Sequence, residues 1–205
     1  MNMRDQIVLF LKTNAAINAV NFKFRDHKIW PYAYRKDVAN ALITGDIKIG
    51  KAVNDGAAAT YRQDQDRLEI SPTANFASLG DQGLILHECT HAILDMRAIG
   101  NHSGHEDEAI AYLAQAFFLT RTRGNARDVP DNPVPLGGIN TKIAAGIYDE
   151  AERIAAKSIR TGEYYIEKKD ADNLLALVAQ HNHYRAVGNY PSNRFKRTFL
   201  NNLVR

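Results

Sequence analysis

The chain has 205 residues, of which 45% are hydrophobic and 24% charged, a composition typical of a folded domain with its own apolar core. A single cysteine excludes a scaffold held together by internal disulfides. A net charge of +3 argues against a nucleic-acid-binding protein, and the lack of a long apolar run argues against a membrane span.

The N-terminal segment predicts a helix over residues 3–19. Lys12 interrupts the apolar run Ile7 to Leu11, and no small-residue cleavage site follows it cleanly, so we interpret the run as helix and not as a signal peptide. We therefore expect a protein of the cytoplasm, or one exported without a classical signal peptide. Residues 22–50 predict irregular chain, with one short helix over 36–43 that ends at Gly45.

Two strands are predicted next, over residues 57–61 and 67–71. The polar segment between them is turn-like, which favours a β-hairpin, and Pro72 ends the second strand. Residues 79–97 then predict a long helix. Its apolar residues recur at helical spacing and are expected to face the core: Ile85, Cys89, Ala92, Ile93 and Met96.

Helices are predicted for most of the remaining chain. They cover residues 105–121, 139 to just before Gly162, 171–184 and 192–204, with a proline-containing loop over 124–138. The predicted fold class is therefore α+β: mostly helical, with a small antiparallel hairpin before the long helix. We expect one domain over 1–205, with an N-terminal part over 1–123 and a helical C-terminal part over 139–205.

The long helix contains the motif His87-Glu88-Cys89-Thr90-His91, an H-E-x-x-H pattern. Residues four apart in a helix are separated by only about 40° around its axis, so His87 and His91 lie on one face and can share a metal ion. Glu88 lies about 100° from His87, where a carboxylate can act as a base without binding the metal. The pattern predicts a catalytic zinc site with Glu88 as its base.

A third ligand is expected from the helix that follows, because catalytic zinc usually takes three protein ligands. The acidic candidates are Glu106, Asp107 and Glu108. Glu106 fits a capping box with Ser103, whereas Glu108 lies further into the helix, where the following alanines allow another helix to approach closely. We favour Glu108 and keep Glu106 and Asp107 as alternatives.

Other polar residues near the motif have two interpretations each. Asp95 could orient a ligand imidazole, or could be an exposed residue near the helix end. Cys89 lies about 200° from His87, which favours an inert thiol buried in the core over a metal ligand or a redox switch. A cluster of polar residues near the end of the predicted helix 171–184 could stabilise an oxyanion, or could form a polar helix end at the surface. Its members are His181, His183, Tyr184 and Arg185.

The C-terminus is rich in basic residues interleaved with two phenylalanines. This pattern favours an amphipathic helix with a solvated basic face over a surface for nucleic acid or an acidic partner. The residues concerned are Arg194, Phe195, Lys196, Arg197, Phe199 and Arg205.

The motif together with Glu108-Ala109-Ile110-Ala111-Tyr112 resembles the compact gluzincins, and is similar to the small ImmA-type metallopeptidases. The resemblance covers roughly residues 57–120. It implies a zincin-like fold in which His87, His91 and Glu108 bind Zn²⁺. It also implies that the edge strand of the hairpin binds the substrate backbone, here through Ala58, Ala59 and Tyr61.

The sequence thus predicts a zinc-dependent metallopeptidase that hydrolyses peptide bonds of a protein or peptide substrate. Zinc would activate a water molecule, and Glu88 would take its proton and pass it to the leaving amine. Two alternatives remain open: a catalytically inactive binding or regulatory protein with the same fold, and a protease effector or toxin delivered to another cell.

Overall fold

A computed structural model describes residues 1–51, 59–97, 103–123 and 141–181 of the chain. The described chain is mostly helical with two small sheets, which confirms the predicted α+β class. The helices are α1 (Met3–Thr13), α2 (Ala39–Thr44), α3 (Leu79–Arg97), α4 (Gly104–Arg123), α5 (Thr141–Thr161) and α6 (Lys168–Gln180). The strands are β1 (Phe22–Phe24), β2 (His27–Ile29), β3 (Lys48–Lys51), β4 (Ala59–Arg62) and β5 (Arg67–Ile70).

Helix α1 ends at Thr13, so the prediction of one helix over 3–19 was wrong. The break lies at Asn14, whose amide donates to the Phe10 carbonyl at 3.0 Å. The Asn14 side chain then accepts a hydrogen bond from the Ala16 amide at 2.9 Å and starts a separate 3₁₀ turn, Ala15–Ala19. Asparagine side chains compete in this way with backbone hydrogen bonds and so divide helical segments.

Residues 22–50 are more regular than predicted. Strands β1 and β2 form an antiparallel hairpin, and a π-helical turn, Ala33–Val38, runs directly into α2. The predicted end of the helix at Gly45 is confirmed, because Gly45 has φ 83° and closes α2 in the left-handed conformation. Strands β1 and β2 were missed because three residues are too few to establish a periodic pattern.

Strands β4 and β5 form the predicted antiparallel hairpin, with Ala59 opposite Ile70 and Arg62 opposite Arg67. Strand β3 joins β5 on its other side in parallel, which gives the order β3-β5-β4. Within the residues that the structure describes, β4 is therefore an edge strand of this sheet. Residues 57 and 58 of the predicted strand lie outside the described residues.

Helices α3 and α4 match their predicted positions and pack against each other in antiparallel orientation. Near the start of α3, a Cβ atom added to Gly83 would lie 3.2 Å from the Leu119 side chain in the second half of α4. In the second half of α3, His91 lies beside Asp107 in the first turn of α4. This close antiparallel packing brings the acidic start of α4 to the H-E-x-x-H motif.

The C-terminal helices pack on this pair. Helix α5 contacts α4 and α6, and ends at Thr161 just before Gly162, as predicted. Helix α6 ends at Gln180, earlier than the predicted residue 184. The predicted loop over 124–138 and the predicted basic helix over 192–204 lie outside the described residues. In the described ranges, no helix combines the length and the apolar character needed to cross a membrane.

Candidate metal centre

The two histidines of the motif lie together on one face of α3, as the spacing predicts. Their ring centroids are 4.9 Å apart, with an angle of 72° between the ring planes. His87 is buried and His91 is mostly buried. Two imidazoles held this close on a rigid helix can share one metal ion.

Glu108 on α4 completes the group. Its Oε2 atom lies 3.4 Å from His87 Nε2, and its Oε1 atom lies 3.7 Å from His91 Nε2. One potential ligand atom of each of the three residues lies within 4.8 Å of those of the other two. The buried group His87, His91 and Glu108 can therefore hold a metal ion. Burial tends to raise the pKa of Glu108, but His91 and the hydrogen bond with His87 outweigh burial and lower it.

Glu106, an alternative third ligand, lies away from this group. Its amide donates to Ser103 Oγ at 3.3 Å, as expected for a residue in the first turn of a capped helix. Its carboxylate lies near two other side chains, with Oε1 3.7 Å from Arg25 Nη1 and 3.8 Å from His27 Nε2. The Glu106 carboxylate therefore faces the β1–β2 hairpin, and only the backbone amide of Glu106 takes part in the predicted capping box.

Asp107, the remaining alternative, lies on the other side of the His91 ring. Its Oδ2 atom is 3.3 Å from His91 Nδ1, whereas Glu108 faces Nε2 of the same ring. Burial lowers the pKa of His91, but Asp107 and Glu108 raise it to about 10. A carboxylate on the second ring nitrogen fixes the orientation of a metal-binding imidazole. Sequence reasoning had considered this supporting role for Asp95 and had missed it for Asp107.

Asp95 is buried, so the prediction of an exposed residue near the helix end was wrong. Its contacts are with the hairpin: Tyr61 Oη donates to Oδ2 at 2.9 Å and Gln63 Nε2 donates to Oδ1 at 3.0 Å. Burial raises the pKa of Asp95 to about 6, against the opposing effect of these two hydrogen bonds. Asp95 therefore connects α3 to the end of β4.

Glu88, the predicted base, lies beside the metal-binding group. Its Oε2 atom accepts a hydrogen bond from the backbone amide of Tyr61 in β4 at 2.7 Å. Burial raises the pKa of Glu88, while the two nearby histidines and this amide act to lower it. A raised carboxyl pKa suits a group that must accept and release a proton near neutral pH.

Two of the three predicted substrate-binding residues lie on β4, the strand whose backbone contacts Glu88. Ala59 and Tyr61 are both in this strand and are buried, and Tyr61 uses its amide to contact the predicted base. Ala58 lies outside the described residues. The structure therefore places the edge strand next to the motif, as the resemblance implies.

Two tyrosines extend the centre and were not predicted. The Tyr112 ring lies edge-on to His87 with centroids 4.7 Å apart, and the Tyr148 ring lies edge-on to Tyr112 at 5.2 Å. Burial, together with the negative charges of Glu108 and Glu88, raises the pKa of Tyr148 to about 12. Tyr148 therefore remains protonated at neutral pH and can donate a hydrogen bond. Its position on α5 gives no sequence signal, because nothing local links it to the motif.

The residues predicted for oxyanion stabilisation are described only in part. His181 follows α6 and is completely buried, so for this residue the prediction of a polar surface helix end was wrong. His183, Tyr184 and Arg185 lie outside the described residues. Cys89 is completely buried, as predicted, and burial raises the pKa of its thiol.

Asp107→Asn is expected to weaken metal binding by about 10–100-fold, because it removes the negative charge that supports the His91 ring. The substitution keeps the size of the side chain, so the fold should be retained. Competition with a chromophoric chelator measures the affinity. Glu106→Gln is the matched control, since it neutralises the carboxylate immediately before Asp107, and Glu106 faces away from the metal-binding group. Wild-type affinity in Asp107→Asn would show that Asp107 does not support the metal site.

Comparisons with known proteins do not extend this description. The candidate centre consists of a buried His-His-Glu group that can hold a metal ion and the Glu88 carboxylate beside it. An edge strand, β4, lies next to this carboxylate. No protein-family model, no curated protein and no solved structure matches the chain.

Proposed function

We propose that this protein is a zinc-dependent metallopeptidase that hydrolyses peptide bonds of a protein or peptide substrate. One observation carries the proposal: the metal-binding group of His87, His91 and Glu108 lies beside a separate carboxylate, Glu88, that is held by an edge strand. A site that only held a structural metal would need no additional base at that position.

Zinc is the metal that this set of residues favours. Two imidazoles and one carboxylate are ligands that catalytic zinc sites use, and three protein ligands leave a further position open. Zinc bound there would acidify a water molecule and polarise the carbonyl of a peptide bond. The burial of His87 and Glu108 supports tight binding, because a bound dication would neutralise the charge of the Glu108 carboxylate.

Glu88 acts as the general base and then as the general acid. The Tyr61 amide occupies Oε2, which leaves Oε1 to accept the proton of the attacking water. The same carboxyl group then delivers the proton to the amine that leaves. Burial raises the pKa of Glu88 above its ordinary value, which makes the carboxylate a stronger base for the first transfer.

Strand β4 and Tyr148 complete the proposed mechanism. A peptide in extended conformation can pair with the exposed edge of a sheet, and β4 is an edge strand beside Glu88. This pairing would hold the scissile bond near the metal centre. We assign oxyanion stabilisation to the protonated phenol of Tyr148, because its ring packs on Tyr112, which in turn packs on His87.

The proposal is tested by metal analysis combined with cleavage profiling. The protein purified without chelators should contain about one zinc per chain. It should cleave a subset of peptides in a proteome-derived library, lose this activity after treatment with a chelator, and recover it on addition of zinc. A zinc content near zero that added zinc does not restore would contradict the metal assignment. Zinc binding without cleavage of any library member would contradict the peptidase and favour a binding protein.

A further inference from the structure

We propose that Asp95 is a positioning residue that acts through Tyr61 on the carboxylate of Glu88; the inference rests on the proposed function. Glu88 and Asp95 are seven residues apart on α3, so they lie within about 20° of each other around the helix axis and about 10 Å apart along it. Both therefore face β4, one beside the metal-binding group and the other two turns further along the helix.

Tyr61 is in contact with both ends of this face. Its backbone amide donates to Glu88 Oε2 at 2.7 Å, and its phenol donates to Asp95 Oδ2 at 2.9 Å. The other oxygen of Asp95 accepts a hydrogen bond from Gln63 at 3.0 Å, just beyond the end of β4. Asp95 thus uses both oxygens to hold the strand whose backbone contacts Glu88.

These contacts are shielded from solvent. Asp95 is 1% exposed and Tyr61 is 8% exposed. Hydrogen bonds to an ionised acceptor are stronger than those between neutral groups, and a low local dielectric strengthens them further. An ionised Asp95 therefore fixes the position of Tyr61 more firmly than a neutral acceptor would.

The position of Tyr61 matters because its amide determines which Glu88 oxygen remains available. With Oε2 engaged, Oε1 is the oxygen available to accept a proton. Displacement of the strand would leave the Glu88 carboxylate free to rotate away from the attacking water. Misplacement of a reacting group by about 1 Å can cost on the order of 100-fold in rate.

Two variants test the link in the zinc-loaded protein. Tyr61→Phe removes the phenol and Asp95→Asn removes the charge of its acceptor. Both should lower kcat by about 10–100-fold, with zinc affinity within about 3-fold of wild type, whereas KM can change as well because β4 is also the proposed substrate strand. The double variant should be no slower than the slower single variant, because both changes break the same connection.

Tyr34→Phe is the matched control. The Tyr34 phenol is also completely buried and also bonds α3, through Thr90 Oγ1 at 2.7 Å. Thr90 lies about 200° from Glu88 around the helix axis, on the far side from β4. Tyr34→Phe should lose about as much stability as Tyr61→Phe does, but it should keep the wild-type kcat.

Amide hydrogen exchange measured by NMR tests the connection between Asp95 and the Tyr61 amide, and this measurement does not require catalytic activity. The residue 61 amide should exchange slowly in the wild type and in Tyr34→Phe, and at least about 10-fold faster in Tyr61→Phe and Asp95→Asn. If Asp95→Asn does not fold, Tyr61→Phe, which removes only one hydroxyl, carries the test.

The outcomes separate the inference from the proposed function. Unchanged residue 61 exchange and unchanged kcat in Tyr61→Phe would overturn the inference, as would a loss of stability with full kcat in the folded protein. Faster exchange in the variants of a protein that cleaves no peptide would support the connection to Glu88 and contradict the peptidase.

Discussion

Glu88→Gln is expected to lower turnover by about 10²–10⁴-fold, the usual effect of removing a general base. Glutamine cannot accept and then return the proton, but it has nearly the same shape as glutamate. Its amide oxygen can still accept the hydrogen bond that the Tyr61 amide donates to Glu88. The zinc content and the fold should therefore match the wild type. Kinetics on a peptide identified by cleavage profiling, with zinc measured on the same samples, provide the comparison.

The zinc content of the Glu88→Gln protein is the control for this prediction. A variant that cleaves as slowly as expected but has also lost its zinc would identify Glu88 as a ligand and not as the base. A variant that retains both zinc and full turnover would remove Glu88 from the mechanism. Only low turnover with full zinc content agrees with a carboxylate that lies beside the metal-binding group without belonging to it.

Glu108→Ala is expected to have the largest effect on metal binding. It removes the carboxylate that faces Nε2 of both histidines and leaves two members of the group that can hold a metal in the described part of the chain, His87 and His91. The loss of zinc affinity should exceed the roughly 10–100-fold expected for a supporting residue such as Asp107. Competition with chelators over a range of affinities measures the difference.

Glu106→Ala is the matched control for Glu108→Ala, because it removes the same side chain two positions earlier in α4. Its expected cost is about 1 kcal/mol of stability or less, because Glu106→Ala removes the ion pair with Arg25 and keeps the backbone amide that Ser103 caps, with zinc retained. Thermal unfolding of the metal-free forms measures this cost. A large loss of zinc affinity in Glu106→Ala, with Glu108→Ala unaffected, would move the ligand assignment toward the start of the helix.

Part of the centre could be predicted because helix geometry is local. The spacing of His87 and His91 places both imidazoles on one face of any helix, whatever surrounds it. The burial of Cys89 follows from the same geometry. The hairpin could be predicted because two short runs with a polar turn between them have few other arrangements.

Glu108 was distinguished from its neighbours by a weaker argument. The alanines after it predicted close approach of another helix, and α3 and α4 do pack closely in the structure. The sequence could not show that Asp107 would face the opposite nitrogen of His91, because this depends on the rotation of α4 relative to α3. That rotation is set by packing along both helices.

Sequence patterns alone predicted the face of α3 with His87 and His91, the class of fold and the acidic segment that contains Glu108, because each follows from patterns within single elements. Only the tertiary structure decided how β4 and α5 meet this face. Tyr61 contacts Glu88 across 27 positions and Asp95 across 34, and Tyr148 reaches the centre from α5. Such contacts form when separate elements bury their apolar surfaces together, and no local pattern records which polar groups this packing brings into contact.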